Sequence, residues 1–274
     1  MISVITGASA GIGAAAAEGL ARAGHDVVLV GRSRARLTSV ADAVARAAGR
    51  RPDIATADFA SFEEVTRLAA DLLDRYERID VLVNNAGVMS TERRLTRDGH
   101  ELMMQVNHLS PFLLTNLLLA RVTASAGRVV TTSSQAAKSG RLDPGDLDRG
   151  RRRWSAWLQY GDTKQANALF TVALARRGVA ATCFHPGVIR TGFAPDSLYM
   201  KLLMVIPGVA RTPEQGASTL VHLATTPDGV KHTGRYFAKG VPASTSPRMT
   251  DPELAAALWT NSLAVTGLSA DELS

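Results

Sequence analysis

The chain has 274 residues, 46% of them hydrophobic and 20% charged, with a mean hydropathy of +0.03, which excludes bulk disorder and leaves room for a core that needs no covalent staples. One cysteine, Cys183, excludes an intramolecular disulfide and a cysteine-built zinc site, and suits a reducing compartment. The net charge of +6 rests on 26 arginines and 5 lysines. The one dense run, Arg149, Arg151, Arg152 and Arg153, has no interleaved aromatics and reads as a solvated loop, not a nucleic-acid surface.

Periodicity predicts strands at Ile2 to Thr6, Asp26 to Val30, Ile54 to Ala57, Val81 to Asn84, Arg128 to Thr132, Val179 to Phe184 and Arg235 to Ala238. Amphipathic segments alternate with them at Gly11 to Ala23, Ser33 to Ala48, Ser61 to Tyr76, Asp98 to Ser125, Trp157 to Arg177 and Pro213 to Thr225, with a last helix at about 250–263. Strands apolar on both faces, taking turns with helices, predict one α/β domain over 1–274: a single doubly wound parallel sheet with helices on both faces. Two stretches break the alternation. The polar one, 138–155, reads as a surface loop; the apolar one, 192–211, is a substrate cover, core packing or an oligomer contact. Its strongest apolar part, Leu198 to Val209, contains Lys201 and Pro207 and is shorter than the roughly 20 residues of a membrane span. No basic leader precedes the apolar run at Ile2. A cytoplasmic protein without a membrane span is expected.

The first strand runs into Thr6-Gly7-Ala8-Ser9-Ala10-Gly11-Ile12-Gly13. Glycines there let the backbone turn sharply and approach a pyrophosphate, whose charge meets unpaired N–H groups at a helix start. Gly7, Ser9, Gly11, Ile12 and Gly13 are therefore candidate cofactor contacts. Gly7 to Gly11 also spell the G-x-S-x-G turn of a serine hydrolase with Ser9 as nucleophile. That alternative lacks an earlier strand to supply the oxyanion loop, since only six residues precede Gly7. After the second strand stands Gly31-Arg32-Ser33, where a NAD site would carry an acid for the ribose hydroxyls. A guanidinium there suits a 2′-phosphate, so NADP is favoured over NAD.

Tyr160 and Lys164 are four apart in a helical segment and project from one face. An ammonium about 4 Å from a phenol contributes roughly 4 kcal/mol at an effective dielectric near 20, which is expected to bring the phenol toward neutrality for acid/base chemistry at a carbonyl or alcohol.

Thr6 to Gly13, then Asn84-Asn85-Ala86-Gly87, Ser134, Tyr160 with Lys164, and Pro186 to Thr191 follow one another as in the short-chain dehydrogenase/reductase family. The chain resembles that family over about Ile2 to Phe237. The resemblance implies hydride transfer between NAD(P) and a carbonyl or alcohol. It makes Tyr160 the acid/base, Lys164 its partner and a ribose contact, Ser134 the substrate-oxygen donor in preference to Ser133, and Asn107 part of a proton relay. It further assigns Asp58 to the adenine, Asn85, Ala86 and Gly87 to the adenosine ribose region, and Ile189 and Thr191 to the carboxamide. The interval from Ser134 to Tyr160, 26 residues, is about twice the usual one. With Gly31-Arg32 and His185-Pro186-Gly187 it looks most like the retinol dehydrogenase-like and WW-domain oxidoreductase-like branch.

The six histidines show no metal-ligand spacing. The leading expectation is thus an NADP-dependent reductase or dehydrogenase for a small, hydrophobic substrate; the alternative is an NADP-binding redox sensor without turnover. Analogy with relatives implies a homodimer or homotetramer formed through the helices near 98–125 and 157–177.

Overall fold

The computed structural model describes residues 1–189 and 210–269. Strand β1 (Ile2–Thr6) leads into α1 (Gly11–Arg22), followed by β2 (Asp26–Gly31), α2 (Arg34–Ala48), β3 (Asp53–Thr56), α3 (Phe62–Arg75) and β4 (Val81–Asn84). Next come α4 (Leu102–Met104), a π-helical turn at Gln105–Leu109, α5 (Ser110–Ala124), β5 (Arg128–Thr132), α6 (Ala156–Ala175) and β6 (Ala181–His185). Beyond them lie β7 (Val188–Ile189), β8 (Ala210–Arg211), α7 (Pro213–Thr225), α8 (Asp228–Lys231), β9 (Tyr236–Ala238), β10 (Val241–Pro242) and α9 (Pro252–Thr266).

Eight of the described strands form one sheet in the order β10-β9-β6-β5-β4-β1-β2-β3. Pairing is parallel except between β9 and β10. All four residues of β4 are buried, as strands covered on both faces must be. Ile5, Leu29 and Phe237 pack with Leu20 of α1, Leu37 of α2 and Leu220 of α7 on one face. On the other, Val4 and Leu82 meet Leu68 of α3, Phe112 of α5, Phe170 of α6 and Trp259 of α9. The winding reverses between β1 and β4, which opens a crevice at the carboxyl ends of the strands.

Several expectations change in detail. The helix expected over Asp98 to Ser125 starts only at Leu102, because Gly99 sits at φ +86° and the Glu101 side chain caps the new start by accepting from the Met104 N–H. The arginine run is a solvated loop only in part: Arg151 and Arg153 are exposed, whereas Arg149 and Arg152 turn inward. Arg149 is 6% exposed and its guanidinium meets the fully buried Asp162 of α6 at 2.7 Å. Arg152 pairs with Asp146 at 2.9 Å and also reaches the Arg141 carbonyl. These bonds fasten the 141–153 loop to α6. The sheet extends past Phe237 through the β9–β10 hairpin.

The surface expected to pair copies of the chain is partly taken internally. Trp259 of α9 lies edge-on to Phe112 at 5.0 Å and stacks near Phe170 at 6.0 Å, so α9 covers this side of both α5 and α6. Among the described residues no helix is long and apolar enough to cross a membrane. The segment 192–211 lies outside the described residues apart from the β8 pair Ala210 and Arg211.

Candidate active site

A cavity of about 700 Å³ lies in the crevice at the carboxyl ends of the strands. Its floor is the loop between β1 and α1. Gly7 has φ +66° and a Cβ there would come within 2.8 Å of the Ala86 Cα; a Cβ on Gly13 would meet the Gly7 carbonyl at 2.3 Å. Only glycine lets the two segments approach this closely. The N-cap of α1, Ala10, makes no side-chain cap bond and the first turn has no acidic residue. The N–H groups and positive pole of a twelve-residue helix are thereby left for an anion.

Three strand ends are laced together beside this floor. The Thr6 hydroxyl accepts the Asn85 and Ala86 N–H groups, each at 3.0 Å, and donates to the Val83 carbonyl. The Asn85 amide donates to the Thr6 carbonyl and its oxygen accepts from Thr132 at the end of β5. Asn85, Ala86 and Gly87 thus line the cavity on a fixed backbone, and Asp58, Ser9, Gly11, Ile12 and Ile189 line it too. Thr191 lies outside the described residues.

At the tip of β2, Arg32 lines the cavity and is exposed. Arg36, absent from the sequence expectation, lines it too. A signal for it existed: Ser33 caps α2 by accepting from the Arg36 N–H, which puts Arg36 in the first helical turn beside the glycine loop. Neither guanidinium has a carboxylate partner among the described residues.

Tyr160, Lys164 and Ser134 come together in the lining of the same cavity. Of the adjacent serines, Ser133 is buried and spends its hydroxyl on the Lys164 carbonyl at 2.8 Å. Ser134 borders the cavity, and its hydroxyl is hydrogen-bonded to the Tyr160 phenol. The Lys164 ammonium donates to the Thr132 carbonyl at 3.3 Å and lies 5.6 Å from the centre of the Tyr160 ring.

The expected depression of the phenol pKa is not found. Burial pushes Tyr160 up to about 12, against a smaller downward pull from the Ser134 bond. Burial likewise brings Lys164 down to about 8. Removal from water penalises both charged forms, and it outweighs attraction across this separation.

Asn107 occupies the π-helical turn, a rare geometry concentrated at functional sites. Its side chain accepts the Val88 N–H at 2.7 Å and donates to the Val88 carbonyl and the Thr163 hydroxyl. A Cβ on Gly87 would lie 3.3 Å from the Asn107 Oδ1 and 3.4 Å from the Lys164 Nζ, so the loop after β4, the π turn and α6 fit against one another at this glycine. Trp157 and His185 also line the cavity and were not anticipated as site residues. Burial, followed by the nearby Arg211, holds His185 down at about 4, and its Nδ1 accepts the Gly187 N–H. It is therefore neutral at pH 7. Cys183 is buried below the site, its thiol pushed up to about 12 by burial.

The sequence model described as short chain dehydrogenase matches residues 1–144. The chain is 44% identical over 266 residues to the Streptomyces sp. (strain C5) protein named "Putative daunorubicin C-13 ketoreductase DnrU", covering 96% of this chain and 92% of that one. It is 36% identical to mouse retinol dehydrogenase 14, over 97% of this chain and 85% of the relative. Among solved structures, an uncharacterized protein from Mycobacterium paratuberculosis superposes with a TM-score of 0.76 at 34% identity, covering 98% of this chain and 94% of the other. The chain belongs to the short-chain dehydrogenase/reductase family, a family of NAD(P)-binding oxidoreductases that act on small molecules.

Proposed function

We propose that the chain is a single NADP-dependent catalytic domain that interconverts a carbonyl and an alcohol on a small, hydrophobic molecule. The observation that carries this reading is the Ser134–Tyr160 hydrogen bond facing a glycine-floored cavity that Lys164 also lines. The close glycine packing and the uncapped α1 start fit a pyrophosphate. Arg32 and Arg36 support a 2′-phosphate, and hence NADP over NAD, through charge-assisted hydrogen bonds. Lys164 and the backbone of Asn85 to Gly87 would hold the ribose regions, Asp58 the adenine, and Ile189 with Thr191 the carboxamide. When bound, the reduced nicotinamide supplies the hydride.

The chain's own residues manage the proton. A phenol that titrates near 12 is protonated at pH 7, so Tyr160 is ready to donate to a carbonyl oxygen as negative charge develops on it. Ser134 donates a second hydrogen bond to that oxygen, and such donors are worth most where water is excluded. Lys164, still mainly protonated at pH 7, stabilises the phenolate left behind. Asn107 fixes the π turn and the loop at Val88 that borders the same wall, the framework of the proposed relay. The relatives named as a ketoreductase and a retinol dehydrogenase support carbonyl or alcohol chemistry on an apolar substrate. A cytoplasmic setting is supported by the lone, buried thiol.

The test is NADPH oxidation with a panel of aldehydes and ketones. Tyr160→Phe is expected to lower kcat by roughly 10²- to 10⁴-fold with the melting temperature preserved. Full activity in Tyr160→Phe removes the proton assignment. Tight NADPH binding with no turnover on any carbonyl or alcohol favours the sensor.

A further inference from the structure

We propose that Asn167 is a positioning residue for Lys164, and that a buried hydrogen-bond chain from α9 fixes which way its amide faces. The inference rests on the reading of Lys164 as the partner of Tyr160 given above, and adds a residue further along α6 to it. The Thr132 carbonyl, at the end of β5, accepts two donors from that helix: the Lys164 ammonium at 3.3 Å and the Asn167 Nδ2 at 3.0 Å. The ammonium is a compact charge on a flexible stem, and among the described residues it has no carboxylate to hold it. The Thr132 oxygen is therefore what places it beside the phenol. Asn167 in turn fixes that oxygen to α6.

Donor and acceptor chemistry dictates the rest of the chain. A carbonyl only accepts, so the Asn167 amide turns its nitrogen toward Thr132 and its oxygen away. That oxygen, Oδ1, and the His108 Nδ1 are both left over once the well-formed hydrogen bonds are assigned, and they belong to side chains that interact with each other. Buried polar atoms rarely stay unpaired, and a proton on Nδ1 pairs both. The His108 Nε2 then accepts from the Ser262 hydroxyl of α9 at 3.0 Å. Burial holds the imidazole down at about 4, so it is neutral at pH 7 and has one proton to give. His108, Asn167 and Ser262 are all buried, and Phe112 and Phe170 lie beside the imidazole. In such an apolar setting each bond is strong and a reversed one is costly. None of the three is among the cavity-lining residues; they act on the site through Thr132.

Two measurements on the full chain test this. Nitrogen-15 NMR of the histidine-labelled wild type reads the tautomer of His108 without any turnover, and the neutral Nδ1–H form is expected from pH 6 to 8. An Nε2–H form turns the Asn167 amide round, takes its donor from Thr132 and overturns the proposal. The second is a double-mutant cycle of Asn167→Ala and Lys164→Met, read as kcat with NADPH and the carbonyl compound that wild type reduces fastest. Asn167→Ala is expected to lower kcat roughly 10- to 100-fold through a misplaced ammonium, with the KM for the carbonyl compound changed less than about threefold. In the Lys164→Met background the same change should cost less than about twofold, because it acts only through the missing ammonium. Equal losses in both backgrounds overturn the proposal, since a merely structural role ignores Lys164. Thermal melts show whether Asn167→Ala is folded at the assay temperature; if it is not, the tautomer in wild type decides. If wild type reduces no carbonyl, the carbonyl-reduction reading fails, while the tautomer still decides which way Asn167 faces.

Discussion

At the tip of β2, Arg32 and Arg36 hold exposed guanidiniums on the cavity wall and lack carboxylate partners among the described residues. In the loop before α6, Arg149 and Arg152 are drawn inward onto Asp162 and Asp146. Residue type and local charge density would rank the second region as the more open to an anion, and the structure reverses that ranking. What decides is whether a carboxylate on another element sits opposite the cation. Arg149 even adopts a left-handed backbone, φ +48°, which a side chain with Cβ tolerates only when its surroundings hold it there. Arg32 follows a strand whose last residue is a glycine, and lines the cavity.

The largest test of this contrast is Asp162→Ala, which strands the buried Arg149. Breaking such a pair costs about 3–5 kcal/mol, and a fall in melting temperature of several degrees is expected in calorimetry. A melting point unchanged from wild type would place Arg149 with the solvated cations after all. At the other region, Arg32→Ala removes charge-assisted bonds worth about 1.5–3 kcal/mol. The KM for NADPH should rise roughly 10- to 100-fold while that for NADH stays put; equal changes for both cofactors would deny Arg32 its phosphate.

Lys164 is an intermediate case, a buried cation with no carboxylate partner among the described residues. Because burial lowers its pKa to about 8, it keeps its charge below that pH and loses it above. The rate of carbonyl reduction should therefore stay nearly level from pH 6 to 7.5 and fall about fivefold between pH 8 and 9. A rate that climbs through that window would contradict the assignment.

Glu101 completes the set as a buried carboxyl without a guanidinium among the described residues. Burial raises it to about 7, and both Glu101 Oε1 and Gln159 Oε1 lack a donor among the described residues. A proton on Glu101 would supply a donor here; the Gln159 amide gives one hydrogen to the Leu147 carbonyl, and its side chain is also hydrogen-bonded to this carboxyl. The folded pKa lies above the ordinary value, so this contribution to stability is complete below the ordinary carboxylate range and is lost as pH rises through about 7. Glu101→Gln should raise the melting temperature at pH 8 by about 2–4 °C, corresponding to about 1 kcal/mol, and change little at pH 5.

Much of the fold was legible because strands buried on both faces leave short apolar runs that helices of the same chain cannot imitate in length. The ends of β1, β4 and β5 matched expectation to the residue, as each is closed by a hydrogen-bonding threonine or asparagine. The site was legible where spacing encodes proximity, as for Tyr160 and Lys164 one helical turn apart. Trp157 stood at the same kind of spacing, and the same reasoning could have found it. Arg149 could not be read correctly, because its partner Asp162 belongs to another element and nothing local announces the pairing. The π turn around Asn107 was hidden for a similar reason: it depends on Val88 and Thr163, which are distant in sequence. The phenol pKa was misjudged in sign because the sequence shows which charges are neighbours and conceals how far water has been removed.

The ring contact among Phe112, Phe170 and Trp259 also bears on how the protein comes into being. Synthesis proceeds from the amino end, so helices α5 and α6 emerge well before the residue that shields their aromatic faces. During that interval Phe112 and Phe170 form an uncovered apolar patch, and β6 is an open sheet edge until β9 arrives. Such surfaces attract chaperones or one another. The nascent chain can dock its nucleotide-binding half early, but it seals its core only when α9 leaves the ribosome.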